Sequence, residues 1–130
     1  MPPPAGERGL IAIEMDLDPI DLAIERAVPC ALILNELLSN AFKYAFPGQR
    51  RGKVRIAFRA SEPGRLELVV EDNGVGMPAG SLGMPDSRSL GLRIVGILTK
   101  QLDGSLDQEP CPGTRIVLRF PAGAHGASAA

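Results

Sequence analysis

Two stretches in which apolar and polar side chains alternate constrain the fold of this chain more than any other feature. Apolar and polar residues alternate over residues 54–59 and again over 66–71, and Ser61-Glu62-Pro63-Gly64 between them is a turn sequence. Period-two alternation is typical of strands with one buried face, so the region is predicted to form a β-hairpin. The arginines of its first strand and the glutamates of its second are expected to face each other on the solvent side. The apolar side of this hairpin then needs a second layer to cover it.

Two helical segments can supply that layer. The first is predicted to run from Pro29, whose missing N–H suits the first turn of a helix, to about Phe46, with Pro47-Gly48 ending it. The second is predicted from about Leu90 to Leu102. In each segment apolar side chains recur at helical spacing: Leu34, Leu37, Leu38, Ala41 and Ala45 in the first, and Leu92, Val95, Leu98 and Leu102 in the second.

Three further short segments, residues 11–16, 105–109 and 114–120, have the pattern of strands. Residues 21–27 fit either a short strand or the approach to the first helix. The order strand, helix, hairpin, helix, hairpin predicts an α+β fold. We expect a two-layer α/β sandwich, with the helices on one face of a mixed, mostly antiparallel sheet.

The length and the ends of the sequence define the domain. A chain of 130 residues favours one domain. Residues 1–9 are rich in proline and glycine, and residues 122–130 are mostly small. The folded domain is therefore expected to span residues 10–121, with disordered segments at both ends.

Composition excludes several classes of function. With 14 basic and 15 acidic residues the chain is nearly neutral, which argues against a nucleic-acid partner. No apolar run is long enough to span a membrane and the start is not a signal peptide, so a cytoplasmic protein without direct membrane contact is expected. The two cysteines, Cys30 and Cys111, are predicted to be free thiols. The single histidine, His125, lies in a small-residue tail, so no metal site or catalysis based on histidine is expected.

The polar face of the first helix is the first candidate for chemistry. At 3.6 residues per turn, Glu36, Asn40 and Lys43 share one face, with Tyr44 at its edge. A carboxamide oxygen can ligate a hard cation, and an ammonium group can neutralise phosphate, so the row suits a magnesium–phosphate group. By itself the pattern is more typical of an ordinary amphipathic helix with a solvated face.

The segment after the hairpin is the second candidate. Asp72-Asn73-Gly74-Val75-Gly76 places a carboxylate and two glycines just past the end of a predicted strand, although Asp-Asn-Gly alone is usually a turn. Residues 78–89, which include glycine and proline, are predicted to form a polar loop of a length typical of lids and binding loops. The ordered combination with a later Ser-Leu-Gly-Leu and Gly-Thr favours a functional interpretation.

Four motifs in this order resemble those of one known family. They are an N box at Asn35–Tyr44, a first glycine box at Glu71–Pro78, a second glycine box at Ser89–Val95, and a closing Gly113-Thr114-Arg115. Together they resemble the ATP-binding catalytic domain of bacterial sensor histidine kinases, in the GHKL superfamily shared with gyrase, heat-shock chaperone ATPases and mismatch-repair ATPases. The N box is most similar to the second histidine-kinase type, and the similarity covers residues 11–121. The related subgroup with a Trp-x-Glu signature fits less well, because the chain has no tryptophan.

The resemblance implies ATP and Mg²⁺ as ligands and a role for each matching residue at the phosphate end. Asn40 would ligate Mg²⁺ and, with Lys43 and Glu36, form the catalytic set, Lys43 touching phosphate. The second helix, starting at Leu90, Gly91 and Leu92, would point its N–H groups at phosphate. In the superfamily's ATPases a glutamate at the position of Glu36 is a general base, whereas many histidine kinases have asparagine there. Glu36 is therefore expected to act as a base, to help activate the acceptor or to tune the metal.

At the base end, the resemblance implies that Asp72 accepts a hydrogen bond from the adenine amino group, with help from Thr114. Gly74 and Gly76 would let the backbone approach the nucleotide, and Tyr44 would line the same pocket. The segment between the two glycine boxes is short and has no phenylalanine-rich box, so a compact lid is expected.

Three functions remain open at this point. The first is the catalytic module of a two-component histidine kinase, which passes the γ-phosphoryl of ATP to a histidine on a separate dimerisation domain, with a response regulator downstream. The second is a stand-alone serine kinase of the anti-sigma-factor type, which has the same fold and a similar length. The third is a degenerate module that mediates protein contact. Lys43-Tyr44 and the Ser-Leu-Gly-Leu sequence favour the first.

Overall fold

A computed structural model describes residues 10–46, 51–76 and 90–123 of the chain. These residues form five strands, two α-helices and one π-helical turn, which follows α1 directly. The predicted lid, the Pro47-Gly48 stop, the segment 1–9 and most of the predicted tail lie outside the described residues. The elements are β1 (Ile11–Leu17), α1 (Ile24–Asn40), the π-helical turn (Ala41–Ala45), β2 (Gly52–Glu62), β3 (Arg65–Asp72), α2 (Leu90–Gln101), β4 (Ser105–Glu109) and β5 (Thr114–Pro121).

The five strands form one mixed sheet in the order β1-β2-β3-β5-β4. Only the pair β1 and β2 is parallel; the other three pairs are antiparallel. Both helices pack on one face of this sheet, and the core between the layers includes the buried side chains Ile33, Val95, Leu102, Leu118 and Phe120. The predicted α+β fold and the predicted hairpin of β2 and β3 are thereby confirmed.

The opposite face of the sheet is covered by charged side chains. Their aliphatic stems shield a second, small apolar cluster of Ala57, Val69 and Val117, each at most 3% exposed. Arg55 is opposite Glu71 in the hairpin register, as expected, but the two do not pair. Arg55 instead binds Asp16 of β1, and Glu71 accepts from Arg115 of β5 at 2.6 Å. The arginines and glutamates of the hairpin thus face each other as predicted, while each strand forms its ion pairs with its other neighbour.

Strand β1 lies at the edge of the sheet, where neither helix covers it well. Its side chains on the helix side, Ile13, Met15 and Leu17, are 48%, 66% and 56% exposed. Within the described ranges, neither helix has the length and apolar character to cross a membrane.

Helix α1 starts earlier than predicted. It begins at Ile24, so Pro29 lies inside the helix instead of in its first turn. Ala23 precedes the helix without a side-chain cap, although its carbonyl accepts from the N–H groups of Arg26 and Ala27. With no capping residue to mark the start, proline was the only signal in the sequence. The sequence analysis left two alternatives for residues 21–27, a short strand or the approach to the first helix. Residues 24–27 are helical.

The domain also extends slightly past its predicted end. Ala122, the first residue of the predicted tail, is 3% exposed, and its N–H donates to the carbonyl of Gly64 at 2.8 Å. This contact ties the end of β5 to the turn of the hairpin. The predicted boundary at 121 was therefore too early.

Candidate functional site

A cleft of about 660 Å³, including its open mouth, lies where the end of α1 meets the end of β3 and the start of β5. The lining combines a carboxylate, a carboxamide and two hydroxyl groups with an apolar remainder. The residues are Leu37, Asn40, Ala41, Tyr44, Ala45, Val70, Asp72, Val75, Gly76, Leu92, Thr114 and Ile116.

Asp72 is the buried carboxylate of the cleft. It is the last residue of β3 and is 7% exposed. Its Oδ1 accepts the N–H of Gly74 at 2.9 Å and the N–H of Thr114 at 3.3 Å. Burial raises the pKa of Asp72 above its ordinary value, and these two N–H groups partly oppose that rise. Since both bonds go to Oδ1, Oδ2 is left to accept a donor from a ligand.

Gly113 brings the start of β5 against this carboxylate. A β-carbon at position 113 would overlap the backbone carbonyl of Asp72, so only glycine allows the close approach. Thr114, directly opposite Asp72 in the sheet, is thereby placed in the cleft. This explains in steric terms why Gly-Thr is needed here, which the sequence indicated only through a resemblance.

Cys111 lies close to the carboxylates of Glu71 and Asp72. Burial raises the pKa of its thiol, and the negative charges of Glu71 and Asp72 act in the same direction, so it stays protonated at neutral pH. Burial also raises the pKa of Cys30, to about 11. Both cysteines are free, as predicted.

The π-helical turn decides which polar side chains of the N box line the cleft. Asn40 and Tyr44 do, whereas Glu36 and Lys43 are not in the lining. A π-helical turn closes i→i+5 hydrogen bonds and holds more residues than an α-helical turn. A spacing of four residues therefore comes nearer to a full turn, which brings Tyr44 over Asn40. Glu36 and Asn40 are one turn apart within α1 and share the predicted face. Lys43 lies in the π-helical turn, where the α-helical spacing assumed for it does not hold.

The two glycines after Asp72 are needed for different structural reasons. Gly76 lines the cleft with φ of +87°, a conformation that favours glycine. Gly74 instead packs on the π-helical turn: a β-carbon there would overlap the carbonyl of Ala45, which also accepts the N–H of Val75 at 2.9 Å. Glycine at 74 is thus required by a contact within the protein.

The start of α2 contributes one side chain to the lining. Leu92 faces the cleft, while Leu90 is 62% exposed, and neither Leu90 nor Gly91 belongs to the lining. A β-carbon at Gly91 would overlap Oε2 of Glu36. The Glu36 carboxylate therefore lies beside the first turn of α2.

Sequence reasoning missed the apolar part of the lining. Val70 and Ile116 form its floor, two residues before Asp72 and two after Thr114. Side chains two apart on a strand share a face, so this alternation could have identified them.

The residues present are compatible with a magnesium ion held mainly by a ligand's phosphates. The amide nitrogen Nδ2 of Asn40 is buried and has no hydrogen-bond partner, and rotating the carboxamide by half a turn would offer its oxygen instead. Mg²⁺ keeps several waters and commonly takes one or two protein oxygens beside substrate phosphates. Among the described residues no group of three or more His, Cys, Asp or Glu could hold an ion alone.

Fold and cleft together define the class. A mixed sheet under two helices, with a buried carboxylate at one end of the cleft and an unpaired carboxamide at the other, has the features of a nucleotide-binding α+β domain. The chain belongs to the family described as histidine kinase-, DNA gyrase B- and HSP90-like ATPases, whose profile matches residues 25–124.

Curated relatives and solved structures similar to this chain include histidine kinases. The chain is 41% identical over 107 residues to sensor histidine kinase PdtaS of Mycobacterium tuberculosis, a match covering 78% of this chain and 21% of PdtaS. It thus spans about a fifth of that relative. The histidine kinase domain of the Erythrobacter litoralis blue-light activated kinase EL346 is similar with a TM-score of 0.79 and 29% identity, covering 88% of this chain and 53% of that one. The mycobacterial sensor histidine kinase MprB gives a TM-score of 0.70 and 28% identity, covering 89% of this chain and 85% of that one.

Proposed function

We propose that this chain is the Mg-ATP-binding catalytic module of a sensor histidine kinase. In this proposal it transfers the γ-phosphoryl of ATP to a histidine on a separate dimerisation domain, and a response regulator in the cytoplasm receives it from there. The observation that carries the proposal is Asp72, a buried carboxylate anchored through Oδ1 with Oδ2 left for a ligand. The relatives support the histidine kinase, and none of those described above supports the serine-kinase alternative.

At the base end of the cleft, Asp72 accepts a hydrogen bond from the exocyclic amine of adenine. The buried Thr114 hydroxyl lies beside it, and Val70, Ile116 and Leu92 supply apolar walls for the ring. A keto group at the same ring position would face a carboxylate that cannot donate to it. The site therefore favours adenine over guanine.

At the phosphate end, Asn40 offers its carboxamide to the cation, and Lys43 is exposed at the same end of α1, within reach of solvent and phosphate. The bound Mg²⁺ supplies neutralisation of phosphate charge. Transfer of a phosphoryl group asks little covalent chemistry of the protein, so the chain contributes mainly position and charge.

Calorimetric titration with a non-hydrolysable ATP analogue, with and without Mg²⁺, tests this function. Asn40→Ala is expected to abolish the gain in affinity that Mg²⁺ gives the wild type. Asn35→Ala, an exposed asparagine on the same helix, is the matched control and is expected to keep it. Absence of binding in the wild type, or an equal Mg²⁺ effect in Asn40→Ala, would contradict the proposal.

A further inference from the structure

Charged side chains of α1 lie at both ends of α2. The two helices run antiparallel: Arg26 near the start of α1 donates from Nη1 to the carbonyl of Leu102, just past the end of α2, at 2.6 Å. At the other end, the Glu36 carboxylate fills the space beside Gly91, the second residue of α2. An anion at a helix N-terminus and a cation at its C-terminus both oppose the helix dipole favourably.

The Glu36 contact lies between two walls of the cleft. Asn40 follows Glu36 by one turn of α1 and lines the cleft from one side. Leu92 directly follows Gly91 and lines it from the other. Glu36 itself is half-buried and absent from the lining. Its carboxylate therefore lies beside the first turn of α2, between the two walls of the cleft.

We propose that Glu36 is a positioning residue, which holds the first turn of α2 against α1 and so places Leu92 over the nucleotide. This inference rests on the proposed function, because it concerns the same cleft. It differs from the general-base role that the resemblance implies for Glu36. A base acts on the chemical step, whereas a positioning residue acts on the affinity of the cleft for its ligand.

Gly91 is the other half of the contact. A β-carbon at this position would overlap Glu36 Oε2 and would lie 3.4 Å from Cδ, so alanine there must displace the carboxylate. Gly91→Ala and Glu36→Ala should consequently remove the same interaction. Effects of two variants that remove one shared contact do not add.

The test is a double-mutant cycle on the Kd of a non-hydrolysable ATP analogue with Mg²⁺, using the whole chain. The variants are Glu36→Ala, Gly91→Ala and the double variant, with Glu36→Gln as the conservative replacement. Arg26→Met is the matched control, because it removes the charged contact at the far end of α2. Thermal unfolding of each variant is measured in parallel.

Glu36→Ala and Gly91→Ala are each expected to raise Kd by about tenfold, and the double variant by no more than either. Glu36→Gln, which keeps the shape and one oxygen, should stay within about threefold of wild type, and Arg26→Met should lower Tm while leaving Kd within about twofold. Additive effects, or an unchanged Kd in Glu36→Ala, would overturn the inference, the latter being the result for a general base. A wild type that binds no analogue would refute the proposed function, and coupling in the unfolding data would then still decide whether the contact exists.

Discussion

At the scale of single residues, the cleft depends on the carboxylate of Asp72, which the fold shields from water. Asp72 receives two backbone N–H groups on one oxygen, yet burial still raises its pKa. A group whose pKa is raised on folding binds its proton more tightly in the folded chain than in the unfolded one. The stability it contributes is present below the ordinary pKa of 3.8 and is lost as pH rises through the raised folded value. At neutral pH the ionised Asp72 is therefore a cost to stability.

Asp72→Asn is expected to raise Tm at pH 7 by a few degrees, because the amide needs no desolvated charge and still accepts through Oδ1. The gain over wild type should shrink as pH falls toward 4, where the wild-type carboxyl takes up its proton. Thermal unfolding between pH 4 and pH 8 measures this. Asp107→Asn, on the exposed outer face, is the control and should show no comparable gain. A variant less stable than wild type at pH 7 would contradict the account.

Gly113 gives a second prediction for a single residue. Gly113→Ala is expected to destabilise the domain by about 1–3 kcal/mol, because the new β-carbon meets the backbone of Asp72. Gly96→Ala is the matched control: nothing lies within 4 Å of its β-carbon, and alanine inside α2 should stabilise by about 0.5–1 kcal/mol. The free energies of unfolding of both variants, measured by chemical denaturation, test this prediction. Equal effects of the two substitutions would mean that β5 does not press on Asp72 as described.

At the scale of elements, period-two and helical patterns predicted the strands and helices because most of the elements bury one face, the edge strand β1 excepted. The predictions that were wrong concern features that leave no periodic pattern in the sequence. The start of α1 carries no capping residue, so Pro29 was misplaced into its first turn. The change from α to π spacing after Asn40 occurs in a turn that packs on the segment after β3, where Gly74 lies against Ala45, a contact distant in sequence. The sequence therefore identified the N box but not which of its side chains enter the cleft.

The ion pairs of the outer face yield a prediction for the sheet. Hydrogen bonds from Arg115 and Arg119 lower the pKa of Glu109 below its ordinary value of 4.5. A lowered pKa contributes stability above the ordinary value, which is lost as pH falls through the folded value. Glu109→Gln should lower Tm slightly at pH 7, and the difference should shrink as the pH falls from 7 to 3 and as the salt concentration rises.

Glu62→Gln at the end of β2 is the control for this prediction, since no ion pair of Glu62 is present among the described residues. Thermal unfolding at both pH values measures the difference for each variant. A Tm loss in Glu109→Gln that persists at pH 3 would show that the side chain acts by packing and not by charge.

At the scale of the whole molecule, the two faces of the sheet differ. One carries charged side chains, and the other packs against the helices and borders the cleft. The strand order places the ends of β3 and β5 side by side, so Asp72 and Thr114 meet although 42 positions separate them along the chain. The sequence predicted both residues through motifs but could not show the contact between them, because register across a sheet is set by all its strands together. The fold thereby assembles the site from four separate segments.

Discrimination between adenine and guanine nucleotides tests the central claim most directly. Wild type, Asp72→Asn and the control Asp107→Asn are titrated calorimetrically with non-hydrolysable ATP and GTP analogues in the presence of Mg²⁺. Wild type and Asp107→Asn are expected to prefer the adenine analogue by at least about tenfold, and Asp72→Asn should lose most of that preference because its amide both accepts and donates. An unchanged preference in Asp72→Asn would contradict the placement of adenine at this carboxylate.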